Sequence, residues 1–511
     1  MFMQSLSNRR TWALALTLAA AVSYYAIILT NGSFAFVTRA SPSEEWSLGL
    51  VFNSMLFQLL SGEFDVDPRS VGAEAFIRDG RTYSYFGILP ALIRIPFLPF
   101  IDLPYDDLTR LSCLLAVGLA LLCKVSALCT VYRYADPARR SEPLFWLFLL
   151  VIAFSGAQIM FLRPSLYEEP ILWAGALSAA FVAYAIRGLL SDRLRDAGAI
   201  SILALLAGIC MLTRISTAIG LCTALALLMA FNMYVDAKGS DPHSVPRRRA
   251  RAIPLFWRWT EAVGQWRFVL PGLIVLCFLG IAGFINYKRF GDPLTFSDIR
   301  LQILMPEVND RVQQIAEYGN FNIKRIGFGL MYYFFPLWFV RGSDGNLLFS
   351  SFQARAIDLI ELPPSSFLLT DPVLLLGVLA FLIAIFRRGC LLTHVRAGAL
   401  ALAAGLCVSA LLMLIAISFS FRYRMEFYPF FEFCFLFAYF MNSQGGDRRS
   451  VPCAGMAVWC LSFVSIGMAQ IFLLLNRLSP RGGLSADFDF YDVYIRRVLD
   501  AMKRAAGAAF F

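Results

Sequence analysis

The stretch SPSEEWSLGLVFNSMLFQLLSGEFDVDPRSVGAEAFIRDGRTYSYFGILPALIRIPFLPF, residues 41–100, decides how this chain is organised. It separates two membrane-length apolar runs and is far longer than the ~12–15 residues at which connections become unusual. Its content of Leu, Phe, Ile and Tyr argues against disorder, and it carries six carboxylates between positions 44 and 74. We predict a folded extramembrane loop, residues 41–106, with surface-lying helices and acidic side chains.

The composition is that of a membrane protein. Of the 511 residues, 59% are hydrophobic and 16% are charged, whereas soluble domains contain about 25% charged residues. Runs of about 20 apolar residues recur along the chain, and each is long enough to cross a ~30 Å hydrocarbon core. We therefore predict an all-α, polytopic integral membrane protein of the inner or plasma membrane, with residues 1–511 forming one transmembrane domain.

The net charge of +10 does not indicate a nucleic-acid partner. Much of the basic excess lies in short loops, which is the pattern that sets membrane orientation, and contact with anionic membrane lipids is the other interpretation. The eleven cysteines lie in or beside apolar runs and the two histidines lie in basic loops, so neither a disulfide framework nor a His/Cys metal cluster is predicted. Binding of a divalent cation, Mg²⁺ or Mn²⁺, by carboxylates remains an alternative.

Charge and hydropathy together predict about eleven spans, within a range of ten to thirteen, and place the N-terminus in the cytoplasm. Residues 326–340 are predicted to be re-entrant or surface-lying, because Arg289 and Arg387 have to lie on opposite sides of the membrane. The predicted spans are 11–30, 108–132, 144–162, 171–186, 200–212, 215–234, 268–287, 373–386, 397–418, 430–441 and 451–475.

This topology gathers several polar segments on the outer face. They include the loop, a second segment at 288–371, and an external tail at 476–511 with an amphipathic helix near Asp492–Ala505. The same face is predicted to hold two short turns, RPSLYEEP at 163–170 and FRYRMEFYP at 421–429. Arg214, between two spans, is predicted to lie there as well. Convergence of acids, arginines and tyrosines on one face is the main functional indication in the sequence.

Two acid pairs are candidates for chemistry. Glu44 and Glu45 follow the first span, where a carboxylate can act as a general base or hold a cation over a phosphate; the alternative is an acidic helix start favoured by the dipole. Glu168 and Glu169 stand in a tight turn at the membrane edge, where polar groups are functional candidates by default. A solvated turn is the alternative there, and Arg163 could pair with either glutamate.

Arginines on the same face suit a lipid-linked phosphate or diphosphate, because the guanidinium fork binds phosphate bidentately. Snorkelling to the interface is the alternative for any one of them. The aromatic residues Tyr83 and Tyr85 would stack on a sugar ring or belong to an interfacial belt. No nucleotide-binding glycine motif and no serine nucleophile elbow is present in the sequence. The arginines concerned are Arg81, Arg94, Arg163, Arg214, Arg422 and Arg424.

The order of these motifs resembles the GT-C class of polytopic glycosyltransferases, and in particular an uncharacterised bacterial branch. In that class an acid in the first external loop is followed by an amphipathic helix, a Gly-acid-aromatic step and a basic, Tyr- and Pro-containing segment. SEEWSLGLVFNSMLFQLLSGEFDVDP and GRTYSYFGILP run in this order, and RPSLYEEPILW, NYKRFGDPLTF and FRYRMEFYP are similar to later motifs. The chain departs in its Glu-Glu pair, in having TYSYFGILP instead of a Lys-Pro-Pro step, and in carrying no large C-terminal carbohydrate-binding domain.

The resemblance implies inverting transfer of a sugar from a polyprenyl-phosphate donor to a lipid or glycan acceptor on the external, periplasmic side. It implies Glu45 as the general base, with Glu44 as second choice, and Glu169 with Glu168 as acceptor- or metal-orienting residues. The donor phosphate would be bound by Arg214, Arg422, Arg424 and Arg163. The sugar would be held by Tyr83, Tyr85, Arg81 and Tyr423.

Two other functions fit the composition. A transporter or flippase of lipid-linked sugars would carry ionisable residues in mid-span and repeated broken helices; Lys124 is the plainest such charge, and the two halves of the chain do not match. A glycan polymerase or ligase would use arginines with a histidine in the external loops, and the loops predicted to be external contain no histidine.

Overall fold

The structure, a computed structural model, describes residues 8–238, 266–302, 309–336, 356–357, 365–386, 393–444 and 452–478. The predicted tail beyond residue 478, with its helix at 492–505, and most of the basic segment near 247 lie outside the described residues. The longer helices are α1 (Asn8–Thr30), α2 (Val51–Leu60), α3 (Thr109–Tyr134), α4 (Glu142–Phe154), α5 (Glu168–Leu190), α6 (Ala197–Met211), α7 (Ile215–Lys238), α8 (Trp266–Phe290), α9 (Asn309–Tyr318), α10 (Ile326–Phe334), α11 (Pro372–Phe386), α12 (Thr393–Leu414), α13 (Tyr428–Gln444) and α14 (Pro452–Leu478).

This is a multi-pass, mostly helical membrane protein. Eight helices in the described part are long and apolar enough to cross a membrane, namely α1, α3, α4 with its continuation to Ile159, α5, α7, α8, α12 and α14. Every predicted span falls on a helix, but α6 and α11 have only 15 residues each, about 22 Å of rise against a ~30 Å hydrocarbon core. Eight long helices and these shorter ones do not establish the predicted count of eleven.

Apolar runs become helices here because a helix satisfies its own backbone hydrogen bonds in a medium without water. The outer helices keep bare apolar faces, as Leu276 on α8 and Phe463 on α14 show, with exposed fractions of 63% and 60%. Inside the bundle α3 packs on α5, α6 on α8, α7 on α12 and α11 on α13. Small residues permit close approach: Gly405 of α12 lies directly against the backbone at Ala224 of α7.

The loop between α1 and α3 is a folded unit with its own core. Trp46, Phe52, Met55 and Phe86 are buried together and pack against Ile285 of α8. Two short strands, β2 (Phe76–Arg78) and β3 (Arg81–Tyr83), form a hairpin. Its turn, Asp79–Gly80, has positive φ at both positions, which is the conformation that Asp-Gly favours. Strands β1 (Thr38–Arg39) and β4 (Asp106–Asp107) pair and bring the two ends of the loop together.

The loop docks on one end of the bundle through backbone contacts. Leu89 N donates to Leu212 O at 3.1 Å, at the end of α6. Arg289, buried at the end of α8, donates from Nη1 to Phe86 O at 2.8 Å. Gly87 lies so close to the carbonyls of Leu212 and Thr213 that a Cβ would overlap them. Residues 86–89 are therefore one place at which the loop and the bundle meet through backbone contacts.

The segment predicted to be re-entrant or surface-lying is described only in part. Helix α10 has nine residues, which gives about 13 Å of rise and is too short to cross a membrane. Its buried residues include Tyr332 and Tyr333. Residues 337–350 lie outside the described part, so the interpretation of 326–340 stays a prediction.

We expect Gly87→Ala to destabilise the protein, because the added methyl meets backbone that cannot move aside and overpacking of this kind costs about 1–3 kcal/mol. The measurement is the thermal unfolding midpoint in detergent. Gly118→Ala is the matched control: nothing lies within 4 Å of its Cβ, and alanine in a helix interior is favoured over glycine by about 1 kcal/mol. An unchanged midpoint for Gly87→Ala would contradict the docking described above.

Candidate active site

A fully buried ion pair ties the loop to the start of α5. Both terminal nitrogens of Arg94 donate to the carboxylate of Glu169, at 2.6 and 2.9 Å. Arg94 Nε donates to Asn53 Oδ1 at 2.7 Å, and the Asn53 amide donates to the carbonyls of Leu103 and Asp106. The resemblance implied that Glu169 orients an acceptor or a metal. Since both of its oxygens are held by Arg94 out of contact with solvent, we assign it to holding the loop.

A second buried ion pair joins the FRYRMEFYP turn to the start of α11. Arg424 Nη2 lies 2.6 Å from Asp371 Oδ2 and also donates to Thr370 Oγ1, while Nη1 donates to Ser365 Oγ, both at 2.8 Å. Asp371 Oδ1 accepts from Ala157 N at 3.1 Å. Arg424 was predicted to bind the donor phosphate. Its guanidinium is fully enclosed, so it stabilises this end of the bundle instead.

Arg214 occupies an intermediate position between interior and surface. Its Nε donates to Glu426 Oε1, which also accepts from Ser216 Oγ at 2.7 Å. Its guanidinium carbon lies 5.2 Å from the centroid of the Tyr423 ring. Glu426 is fully buried, whereas 20% of the Arg214 side chain is exposed. Arg214 is thus paired on its inner side and reaches the surface beside Tyr423.

Arg422 packs on an aromatic ring and is linked through it to an acid. Its guanidinium carbon lies 4.1 Å from the centroid of the Tyr167 ring, and its Nε donates to Ser420 Oγ at 3.0 Å. The Tyr167 hydroxyl donates to Glu74 Oε1 at 2.5 Å, and Gln302 Nε2 donates to Glu74 Oε2 at 3.3 Å. Burial, and after it the hydrogen bond to Glu74, raises the pKa of Tyr167 well above its ordinary value. The hydroxyl is therefore a stable donor.

These groups form one cluster. Phe86 stands between Tyr85 and Tyr167, with ring centroids 4.4 and 5.8 Å away. Burial raises the pKa of Tyr85, and the charges of Glu74 and Arg422 act on its hydroxyl. Arg422 also lies near enough for its charge to act on Arg214. We define the arginine–tyrosine cluster as Tyr85, Tyr167, Arg214, Arg422 and Tyr423, with Glu74 at its edge.

The first acid pair lies elsewhere in the loop. Glu44 ends the 3₁₀ helix Pro42–Glu44, is exposed, and accepts a long hydrogen bond of 3.5 Å from Ser41 N. Glu45 is half-buried, and its charge acts on Arg69. Within the described part of the chain, the Glu45 carboxylate makes no hydrogen bond or ion pair. No contact between described residues joins either glutamate to the arginine–tyrosine cluster.

Two residues predicted for the sugar site serve the hairpin. Arg81 is half exposed and pairs with Glu63 at 2.6 Å. Tyr83 is buried against Phe76 and Phe290, which fixes the hairpin to the end of α8. Neither side chain has a described contact with the cluster. Tyr85 and Tyr423, the other two residues predicted to hold the sugar, belong to it.

The turn before α5 contains two more predicted residues. Arg163 is half-buried and makes no side-chain ion pair with a described residue, so the predicted pairing with Glu168 or Glu169 is wrong. Glu168 is buried and accepts from Ser165 Oγ. It directly follows Tyr167 in the sequence and therefore lies at the margin of the cluster.

The sequence indicated the arginines of this region, but it did not indicate which carboxylates contact them. Glu426, Asp371 and Glu74 were present in quoted motifs or segments without a role. Asp371 had a readable signal, since an acid before proline at a helix start is favoured there. Inside the bundle, Lys124 pairs with Glu432 at 2.6 Å and donates to Gln158 Oε1 at 3.1 Å. A lysine in mid-span requires such a partner.

Among the described residues, the acids near the arginine–tyrosine cluster do not form a site for a divalent cation. In the described part of the chain no group of three His, Cys, Asp or Glu side chains is arranged to hold a metal. Three acids near the cluster, Glu169, Asp371 and Glu426, are each bound by an arginine. A guanidinium occupies the place that a cation would need and repels it.

No protein-family profile matches the sequence, and no curated protein matches it. Among solved structures, the apo oligosaccharyltransferase of Archaeoglobus fulgidus is similar, with a TM-score of 0.48 and 11% identity, over 96% of this chain and 60% of that chain. Two further similar structures are AglB from Archaeoglobus fulgidus with an inhibitory peptide and a dolichol-phosphate, and the oligosaccharyltransferase of this archaeon with Zn and sulfate. Each has a TM-score of 0.44 and 12% identity. The AglB complex matches over 96% of this chain and 60% of its own chain. The structure with Zn and sulfate matches over 94% of this chain and 56% of its own chain.

The chain therefore spans less than two thirds of the length of these archaeal chains. Scores below about one half do not establish a shared fold, and roles do not transfer residue by residue at 11–12% identity. The roles assigned to side chains rest on the contacts given above.

We expect Glu169→Gln to destabilise the protein by about 3–5 kcal/mol, because it leaves the Arg94 guanidinium buried without a counter-charge. Loss of activity in this variant should follow loss of folded protein, measured as monodisperse material after detergent extraction. Replacing both partners, in Arg94→Met with Glu169→Leu, should recover much of the stability. A fully stable but inactive Glu169→Gln protein would instead restore a chemical role for this glutamate.

Proposed function

We propose that this protein transfers a sugar from a polyprenyl-phosphate donor to a hydroxyl of a lipid or glycan acceptor, with inversion at the anomeric carbon. The reaction would take place at the bundle end where the loop docks, which in this proposal faces the outside of the inner or plasma membrane. The observation that carries the proposal is the arginine–tyrosine cluster: two guanidiniums, each packed on a tyrosine ring, reach the surface at the end of an apolar bundle.

Both parts of a lipid-linked phosphate, the phosphate group and the isoprenoid chain, suit this position. Arg422 and Arg214 supply planar, permanently charged forks that match phosphate geometry. Packing on Tyr167 and Tyr423 fixes the guanidinium planes and lowers the entropy lost when a ligand binds. The isoprenoid chain would lie along the bare apolar faces of the outer helices, while the phosphate stays at the membrane edge.

The sugar would lie against the aromatic part of the cluster. The rings of Tyr167 and Tyr423 lie 4.1 and 5.2 Å from the guanidinium carbons, and Phe86 packs between Tyr85 and Tyr167. Aromatic faces stack on the apolar faces of sugar rings. As the anomeric carbon–oxygen bond breaks, negative charge grows on the departing lipid phosphate. Arg422 and Arg214 would stabilise that charge, a contribution that rises toward the transition state and so accelerates the reaction.

The acceptor hydroxyl requires a carboxylate to take its proton. From the sequence, Glu45 is the first choice and Glu44 the second. Glu45 is half-buried without a described side-chain partner, which suits a base. Against it stands the absence of any contact between described residues that would link it to the cluster.

Transport of a lipid-linked sugar is the second candidate, favoured by one observation. The pair Lys124–Glu432 lies buried within the bundle, and intramembrane charges often line transport pathways. Gln158 also accepts from Lys124, so the lysine is held by two side chains within the bundle. Transfer of label in detergent, where no sealed compartment exists, separates catalysis from transport.

We expect Arg422→Ala to reduce sugar transfer by about 10²–10³-fold, because it removes a charge that stabilises the leaving phosphate. The measurement is transfer of labelled sugar from a synthetic polyprenyl-phosphate donor by purified protein. Arg422→Lys should recover only part of the rate, since a lysine neither stacks nor binds as a fork. Arg300→Ala is the control, because Arg300 is exposed and pairs only with Asp298 among the described residues. Equal rates in Arg422→Ala and wild type would refute the phosphate assignment.

The orientation is tested with single new thiols. We expect a cysteine replacing the exposed Ser61 in the loop to react with a membrane-impermeant maleimide on intact cells. A cysteine replacing Asp192, which is exposed at the other end of the bundle, should react only after the membrane is opened. The unchanged protein provides the background from native cysteines. The reverse pattern would place the cluster on the cytoplasmic side.

A further inference from the structure

We infer that Glu74 is the carboxylate that accepts the proton of the acceptor hydroxyl and that it works as a unit with Tyr167. The inference rests on the proposed function and names a residue for which the sequence motifs gave no role. It follows from the position of Glu74, a half-buried acid that accepts a hydrogen bond from Tyr167 of the arginine–tyrosine cluster.

The carboxylate of Glu74 touches the cluster directly. Its Oε1 accepts the Tyr167 hydroxyl at 2.5 Å, and the guanidinium carbon of Arg422 lies 4.1 Å from the centroid of the same Tyr167 ring. Its charge also acts on the Tyr85 hydroxyl. A single tyrosine therefore connects the acid to the arginine proposed to hold the leaving phosphate.

Glu74 also keeps the character of a base. Among the described residues its two oxygens accept from neutral donors, the Tyr167 hydroxyl and the Gln302 amide, and no arginine or lysine pairs with it. The neighbouring acids differ: Glu169, Glu426 and Asp371 are neutralised by guanidiniums. No guanidinium among the described residues therefore competes with an incoming proton for this carboxylate, and half-burial leaves it accessible.

The local backbone holds the Glu74 side chain in place beside Tyr167 and Gln302. Glu74 ends the 3₁₀ turn Gly72–Glu74, and the next residue, Ala75, is fully buried in the loop core. Phe76, two residues on, forms a backbone bridge with Gln302. The same glutamine that bonds the Glu74 side chain is thereby held beside it by the backbone. Such support is what a catalytic group needs to stay within reach of its substrate.

In the proposed reaction, Glu74 takes the acceptor's proton while the sugar moves from the lipid phosphate to the acceptor. The acceptor oxygen forms a bond to the anomeric carbon while the bond from that carbon to the lipid-phosphate oxygen breaks and its electron pair leaves with the phosphate. The acceptor's proton moves to Glu74 Oε2, and the developing phosphate charge is met by Arg422 and Arg214. Tyr167 keeps its own proton and holds Oε1, while Oε2, which among the described residues accepts only the longer bond of 3.3 Å from Gln302, has a second lone pair for the incoming proton.

The experiment compares kcat and KM of purified variants with a polyprenyl-phosphate sugar donor. We expect Glu74→Gln, which keeps the shape, to lower kcat by about 10²–10⁴-fold with donor KM and thermal midpoint unchanged. Glu74→Ala should lose the same activity and regain part of it with added formate, a small carboxylate that can occupy the vacated space. Glu74→Gln should gain nothing from formate, because its amide fills that space.

Two further variants separate chemistry from positioning. Tyr167→Phe keeps the ring under Arg422 but removes the hydrogen bond, so it should reduce kcat less than Glu74→Gln does. If Glu74 only positioned Tyr167, both would instead raise donor KM equally and formate would restore nothing, which overturns the inference. Asp79→Asn is the control, since Asp79 lies in the same loop with 81% of its side chain exposed and asparagine tolerates its positive φ.

These assays distinguish failure of the Glu74 assignment from failure of the proposed sugar transfer. Transfer by the wild type together with full activity in Glu74→Gln would overturn the assignment of Glu74 alone and leave sugar transfer standing. If Glu45→Gln were then inactive in the same assay, the base would be Glu45. No transfer by the wild type, with donors of several sugars, would overturn both the proposed function and the inference.

Discussion

A guanidinium taken out of water at the end of an apolar helix bundle has to be matched by a carboxylate, and this requirement organises the molecule. An unpaired buried charge costs several kcal/mol, and removing one partner of a buried pair costs about 3–5 kcal/mol. Arg94 and Arg424 meet the requirement with Glu169 and Asp371, fully enclosed in each case. These pairs fasten the loop and the FRYRMEFYP turn to helix starts, so the bundle end has one fixed arrangement.

The same requirement divides the polar residues by role. Charges that are neutralised inside hold structure, and those that reach the surface are available to a ligand. Arg214 belongs to both groups, since Glu426 pairs it from within while part of its side chain is exposed. Arg422 packs on Tyr167 nearby. Glu74 accepts hydrogen bonds from neutral donors, so a carboxylate and two arginines lie at one surface site.

The sequence predicts this architecture unevenly. Apolar run length predicted where helices lie, because a helix in lipid depends on residues that are neighbours in the chain. It did not predict which acid serves which arginine, since the partners stand 75, 53 and 212 residues apart for Arg94, Arg424 and Arg214. Acids next to arginines in a motif, such as Glu168 and Glu169 after Arg163, suggested local pairs. The fold instead formed long-range ones, and it moved chemical interest from Glu169 to the neighbouring Tyr167.

The docking of the loop makes the cluster a property of the whole bundle end. Tyr85 and Glu74 come from the loop, Tyr167 from the turn before α5, Arg214 from the turn before α7 and Arg422 from the turn before α13. Their relative positions depend on the contact at Phe86 and Gly87, where Arg289 and the end of α6 hold the loop backbone. A shift of the loop at that contact would move Glu74 relative to Arg422, whereas the Arg424–Asp371 and Arg214–Glu426 pairs contain no loop residue. Substitutions at the docking point should therefore impair chemistry as well as stability, because catalytic geometry tolerates even less displacement than packing does.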